Sequence, residues 1–118
     1  MQQVVARAVS RLLADEAQEP PTQRTALNRL KAMEPALRRD GVIALWIFGS
    51  VARDAAKPGS DIDLAVEFDP SSKATLLTVA RLKQDIQDNL GVPVDIGIRD
   101  DLLPDVMEGF HRDAIRVF

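Results

Sequence analysis

Three short apolar runs decide what this chain can become: VIALWIF (42–48), SDIDLAVEF (60–68) and VPVDIGI (92–98). Each is strand-length and rich in β-branched or aromatic residues, so each reads as a β-strand. The first is apolar on both faces, as expected of a strand covered from both sides. The second alternates: Ile62, Leu64 and Val66 face one way, and Asp61, Asp63 and Ala65 the other. In the third, Val92, Val94, Ile96 and Ile98 share a face, and Asp95 and Gly97 take the opposite one. After a turn at Pro70 and Ser71–Ser72, residues 73–90 carry Leu76, Leu77, Ala80, Leu82, Ile86 and Leu90 as the expected buried side of a long helix, stopped by Gly91.

The flanks are helical in pattern. Val4, Val5, Ala8, Val9, Leu12 and Leu13 predict a helix over 3–14 that ends at Pro20–Pro21. Thr22 or Thr25 can cap a second helix carrying Leu27, Leu30 and Met33. Pro35 then kinks that helix or opens a short new one ending near Asp40–Gly41. A helical segment over about 101–117, with break points at Pro104 and Gly109, closes the chain. The expected class is α+β: a small three-stranded mixed sheet backed by helices on one face, plus an extra N-terminal helix. The face carrying the aspartates should stay partly open. A length of 118 residues suits one hydrophobic core, with residues 1–20 as a helical extension and 21–118 as the domain.

Composition narrows the function. Apolar residues make up 46% and charged residues 28%, the balance of a soluble globular protein. No apolar run is long enough to span a bilayer. Arg7, Arg11, Asp15 and Glu16 interrupt any signal-peptide core, so the expected location is cytoplasmic. With no cysteine, disulfides and thiolate metal sites are excluded. The net charge is −3, and the only basic run is Arg38–Arg39, so direct nucleic-acid binding is not expected.

The acids on the second and third strands carry the chemistry. Asp61 and Asp63, two apart on a strand, would project from one face roughly 6–7 Å apart. If the third strand lies beside the second, Asp95 joins them. Three carboxylates at close range repel one another, and a divalent cation relieves the repulsion. Oxygen ligands without His or Cys suit Mg²⁺ or Mn²⁺. The plainer alternative is that Asp61 caps a turn and the other two face water; among 18 acidic residues a lone D-x-D is a weak signal. Asp95 says more, because it interrupts an apolar strand. Gly49–Ser50 directly follows the first strand, where bare backbone N–H groups can meet an anion, with Arg53 one turn on. A phosphate grip beside a metal site points to a nucleotide.

Gly49–Ser50, ten residues, Asp61-x-Asp63 and then an aspartate in a later strand resemble the signature of the DNA polymerase β-like nucleotidyltransferase superfamily. "FGSVARDAAKPGSDIDLAVEF" is most similar to its minimal nucleotidyltransferase (MNT) family, and the likeness extends over about residues 24–118. The resemblance implies that Gly49, Ser50 and Arg53 bind a nucleoside triphosphate, ATP by expectation. It implies that Asp61, Asp63 and Asp95 are catalytic and hold Mg²⁺ or Mn²⁺, with Asp95 a metal ligand or the base for an acceptor hydroxyl. The implied reaction transfers AMP to a hydroxyl of a partner protein of HEPN type, as the antitoxin of a toxin–antitoxin pair. The alternative is a non-catalytic antitoxin that neutralises a HEPN RNase by binding it. A homo-oligomer is compatible with either. One departure stands out: many family members have glycine where this chain has Asp54, whose charge near the phosphates would weaken nucleotide binding.

Overall fold

The computed structural model describes residues 20–118. The helix predicted over 3–14 lies outside the described residues.

Thr22 accepts a hydrogen bond from the Thr25 N–H and caps α1 (Gln23–Ala32), and Pro35 sits in the first turn of the short α2 (Glu34–Arg39). The chain then runs β1 (Val42–Phe48), α3 (Gly49–Ala52), β2 (Ile62–Phe68), α4 (Leu76–Leu90) and β3 (Val94–Ile98). A 3₁₀ turn (Arg99–Asp101), α5 (Pro104–Asp113) and β4 (Ile115–Arg116) complete it. The sheet order is β3-β2-β1-β4. β1 is antiparallel to both its neighbours, and β2 is parallel to β3, so the sheet is mixed as expected.

Two details depart from the sequence reading. The expected helix over 101–117 stops at Asp113, and the sheet gains a fourth short strand. Ile115 and Val117 are β-branched, and β1 still has a free edge. The Leu45 carbonyl accepts from the Val117 N–H at 2.8 Å, and the Leu45 N–H donates to the Phe118 carbonyl at 3.1 Å. The second departure is in α4, which starts after Thr75 in a reciprocal Thr75–Thr78 capping box. Its buried stripe is Leu82, Ile86 and Leu90, while Leu76 and Leu77 are 85% and 81% exposed. At about 100° per residue, Leu77 stands opposite that stripe and Leu76 on its flank.

The pleat divides the molecule. One sheet face is covered by helices and forms an aliphatic core in which Leu30, Leu45, Ile47, Leu64, Leu82 and Ile86 are fully buried. The other face carries a smaller cluster of Phe48, Ala65 and Phe110, with Trp46, Leu102, Met107 and Ala114 packed around it.

Candidate functional site

Strand register assembles the site on that second face. Phe48 pairs with Asp63 across the antiparallel β1–β2 ladder, and Asp63 pairs with Asp95 across the parallel β2–β3 ladder. The next row is Trp46, Ala65 and Gly97. Asp63 and Asp95 are therefore neighbours at one end of the sheet. Small residues follow them: a β-carbon on Gly97 would stand 2.8 Å from the Leu102 side chain, so glycine lets the segment entering α5 lie close against the strand.

Gly49 meets the same carboxylate from the other side. Its φ is +74°, and a β-carbon there would run into the Asp63 carboxylate. Both facts demand glycine directly after β1. Ser50 follows, half-buried, in the first turn of α3. N–H groups in a first helical turn have no intrahelical acceptor.

Asp61 is exposed and precedes β2, which begins at Ile62, so it is not the strand residue its spacing suggested. Its charge still reaches Asp63. The Asp63 carboxyl is raised above the usual carboxylate range, first by burial, then by Asp95 and by Asp61, with Arg53 pulling it down. Among the described residues, no group of three or more His, Cys, Asp or Glu stands close enough to form a ready-made metal cage. The donor set nevertheless suits a hard divalent ion: carboxylate oxygens alone, one of them strained towards protonation, against a glycine that keeps the space clear.

Arg53 lies near Asp63 and is anchored elsewhere. Its Nη1 donates to Asp113 Oδ2 at 2.5 Å, and the Asp113 side chain is only 6% exposed. Arg112 donates to the same carboxylate at 3.2 and 3.1 Å, and the two cations hold Asp113 below the usual carboxylate range, Arg112 contributing first. The sequence reading missed Asp113. Its one signal was an acid inside the otherwise apolar and basic "FHRDAIRVF".

Asp54 faces a different task from the one its charge suggested. It has a positive φ of 54°. Its Oδ1 accepts the Gln23 N–H at 2.8 Å at the start of α1, while the Gln23 amide donates to the Ala52 carbonyl at 2.6 Å.

With this geometry in place, the comparisons are consistent with one another. Residues 25–117 match the nucleotidyltransferase domain family. A candidate protein adenylyltransferase of Methanocaldococcus jannaschii is 36% identical over 83 residues, 70% of this chain and 87% of that protein. The protein adenylyltransferase MntA of Thermococcus cleftensis is 32% identical, over 75% of this chain and 88% of its own length. A solved structure described as a candidate minimal nucleotidyltransferase superposes with a TM-score of 0.66 at 39% identity, covering 80% of this chain and 95% of that one. A Shewanella oneidensis complex of tri-AMPylated HEPN toxin with MNT antitoxin shares the fold at a TM-score of 0.58 and 17% identity, covering 82% of this chain and 72% of that one. The chain belongs to the nucleotidyltransferase family and is a nucleotidyltransferase of the minimal type. Among the described residues, no helix is long and apolar enough to cross a membrane.

Proposed function

We propose that this chain transfers AMP from ATP to a hydroxyl of a partner protein of HEPN type, as the antitoxin of a toxin–antitoxin pair. The observation that carries the reading is the Asp63–Asp95 pair, set in register on adjacent strands against Gly49. It is supported by two relatives named as protein adenylyltransferases and by the fold shared with an MNT antitoxin in complex with its HEPN toxin.

The residues divide the work. Gly49 and Ser50 offer backbone N–H groups to the triphosphate. Arg53 adds a cation, and its ion pair with Asp113 fixes its direction. Asp61, Asp63 and Asp95 would hold Mg²⁺ or Mn²⁺, which when bound neutralises the phosphates and the entering and leaving oxygens of the displacement. The acceptor oxygen bonds to the α-phosphorus as the bond to pyrophosphate breaks. Asp95 stands on the edge strand β3, where the acceptor arrives, and serves as a metal ligand or takes its proton. Asp54 bonds the Gln23 N–H at the start of α1, which supports a structural role for it.

The test is transfer of label from α-labelled ATP, with Mg²⁺, to the protein encoded beside this chain, expected to be of HEPN type. The wild type should label it, and Asp61→Ala/Asp63→Ala should not. A wild-type chain that neutralises that protein without labelling it would leave an antitoxin that acts by binding alone.

A further inference from the structure

The lip of the site next to Asp95 is apolar where solvent should favour polar residues. Leu103 is 71% exposed and Val106 40% exposed, at the entry to α5. With Phe48, Gly97, Leu102 and Asp95 they line a cavity of about 180 Å³. That volume is below the range of whole small-ligand pockets, roughly 300–1,000 Å³, and fits one inserted side chain better than a nucleotide. An exposed apolar pair inside a polar rim is the mark of an interaction surface.

The charged residues of the lining are both acids, Asp95 and Asp101, and both are exposed. Within residues 95–108, Asp105 and Glu108 are exposed acids as well. The one cation in that stretch, Arg99, lies over the Trp46 and Phe110 rings at 5.3 and 5.7 Å and pairs with Asp100 at 3.3 Å. An acidic lip repels the anionic triphosphate, whose proposed grip, Gly49, Ser50 and Arg53, adjoins Asp63 from the β1 side. It attracts a basic protein.

We propose that Leu103 and Val106 form the dock for the acceptor-bearing partner, and that the partner presents an apolar side chain flanked by lysine and arginine. This rests on the protein-acceptor reading above: a hydroxyl delivered to Asp95 must come from a surface that covers its surroundings. The more exposed pair, Leu76 and Leu77, does not meet that condition. Leu76 lines a separate groove of about 500 Å³ with Phe68, at the other end of β2. Five residues of strand, roughly 17 Å, separate that end from Asp63.

The experiment measures calorimetric binding of the HEPN-type partner of the proposed function and, separately, of ATP with Mg²⁺. Leu103→Asp should weaken partner binding about 30-fold or more, the effect of losing an interface anchor, and leave ATP affinity unchanged. Asp101→Lys/Asp105→Lys should weaken it less and flatten its salt dependence. Leu77→Asp should change nothing. If Leu103→Asp disturbs ATP binding as well, Leu103→Ala/Val106→Ala takes its place, with about a tenfold loss of partner affinity expected. A Leu103 variant that binds and accepts partner as the wild type does would overturn the dock and leave protein adenylylation standing. A wild-type chain that neither binds nor labels the HEPN protein overturns both.

Discussion

Asp63 and Leu64 are consecutive residues on β2, yet they belong to different parts of the molecule. Leu64 is fully buried among aliphatic side chains beneath the helices. Asp63 is half-buried on the opposite face, beside a thin aromatic cluster in which Phe110 makes edge-on contacts with Trp46 and Phe48 at 5.7 and 5.6 Å. The aliphatic face gains its stability from burial. The site face gives up part of that gain. Ala65 and Gly97 replace large residues, and Asp63 is desolvated just enough to lift its carboxyl without sealing it from a ligand. Parity on one strand thus separates what holds the fold from what performs the chemistry.

Substitutions at these two neighbours should break the comparison in opposite directions. The largest effect is expected from Asp63→Asn, a fall of about 1,000-fold in label transfer, since it removes a carboxylate worth several kcal/mol at the transition state. The same variant should melt a few degrees higher than the wild type without metal, because a half-buried, repelled charge is gone. A lower melting temperature would contradict the assignment of Asp63 as a strained ligand. Leu64→Ala should do the reverse. It should cost about 2–5 kcal/mol in chemical denaturation through the lost contacts and the cavity, with transfer per folded molecule retained.

The titration of Asp63 sharpens the same contrast. Its folded pKa is raised above the ordinary value of 3.8. A raised carboxyl binds its proton more tightly in the folded state, so its stabilising contribution is present below 3.8 and is lost as pH rises through the folded value. Metal binding needs the ionised form. Melting curves taken between about pH 4 and 7 should therefore show Mg²⁺ protection growing with pH. The metal-free Asp63→Asn chain should lack the Asp63 contribution to the pH profile. Protection by Mg²⁺ that is flat across this window would remove Asp63 from the ligand set.

Arg53 should show a smaller effect. If Arg53 contacts the triphosphate as proposed, Arg53→Ala removes one charge-assisted contact, and KM for ATP should rise about tenfold with kcat less affected. An unchanged KM would mean that the ion pair with Asp113 is its whole role.

How much of this was legible in the sequence depends on how local each cause is. A continuous apolar run marked β1 in 42–48, and period-two alternation fixed the apolar face of β2 and the paired faces of β3 in 60–68 and 92–98. The Thr22 cap and the end of α4 at Gly91 were equally local. The fourth strand was not legible, since two residues become a strand only because β1 offers them an edge. The exposure of Leu76 and Leu77 was legible but missed, because at about 100° per residue both fall off the Leu82, Ile86 and Leu90 stripe. In the site, Gly49, Asp63 and Asp95 were named from spacing, but their register came from strand pairing. Asp113 is 60 residues from Arg53 in the chain, and no local pattern links them.

Asp54 gives the smallest expected effect and the finest discrimination. By sequence it was a negative charge near the phosphates, in the place where many relatives carry glycine. In the structure it performs two structural tasks at once. It occupies a left-handed backbone position at φ 54°, and its carboxylate satisfies the Gln23 N–H, an orphan donor of the first turn of α1. Asp54→Gly relieves the backbone strain and loses the hydrogen bond, so the two changes nearly offset, with a net stability change of about 1 kcal/mol or less. Asp54→Ala loses the bond and retains a side chain at positive φ, and should cost about 1–2 kcal/mol. ATP affinity should be the same in both variants and in the wild type, because the carboxylate is held against α1. If Asp54→Gly tightens ATP binding tenfold, its charge acts on the triphosphate, and the hydrogen bond to Gln23 yields when nucleotide arrives. Equal affinities across the three chains would show that the Asp54 carboxylate acts on α1 and not on the triphosphate.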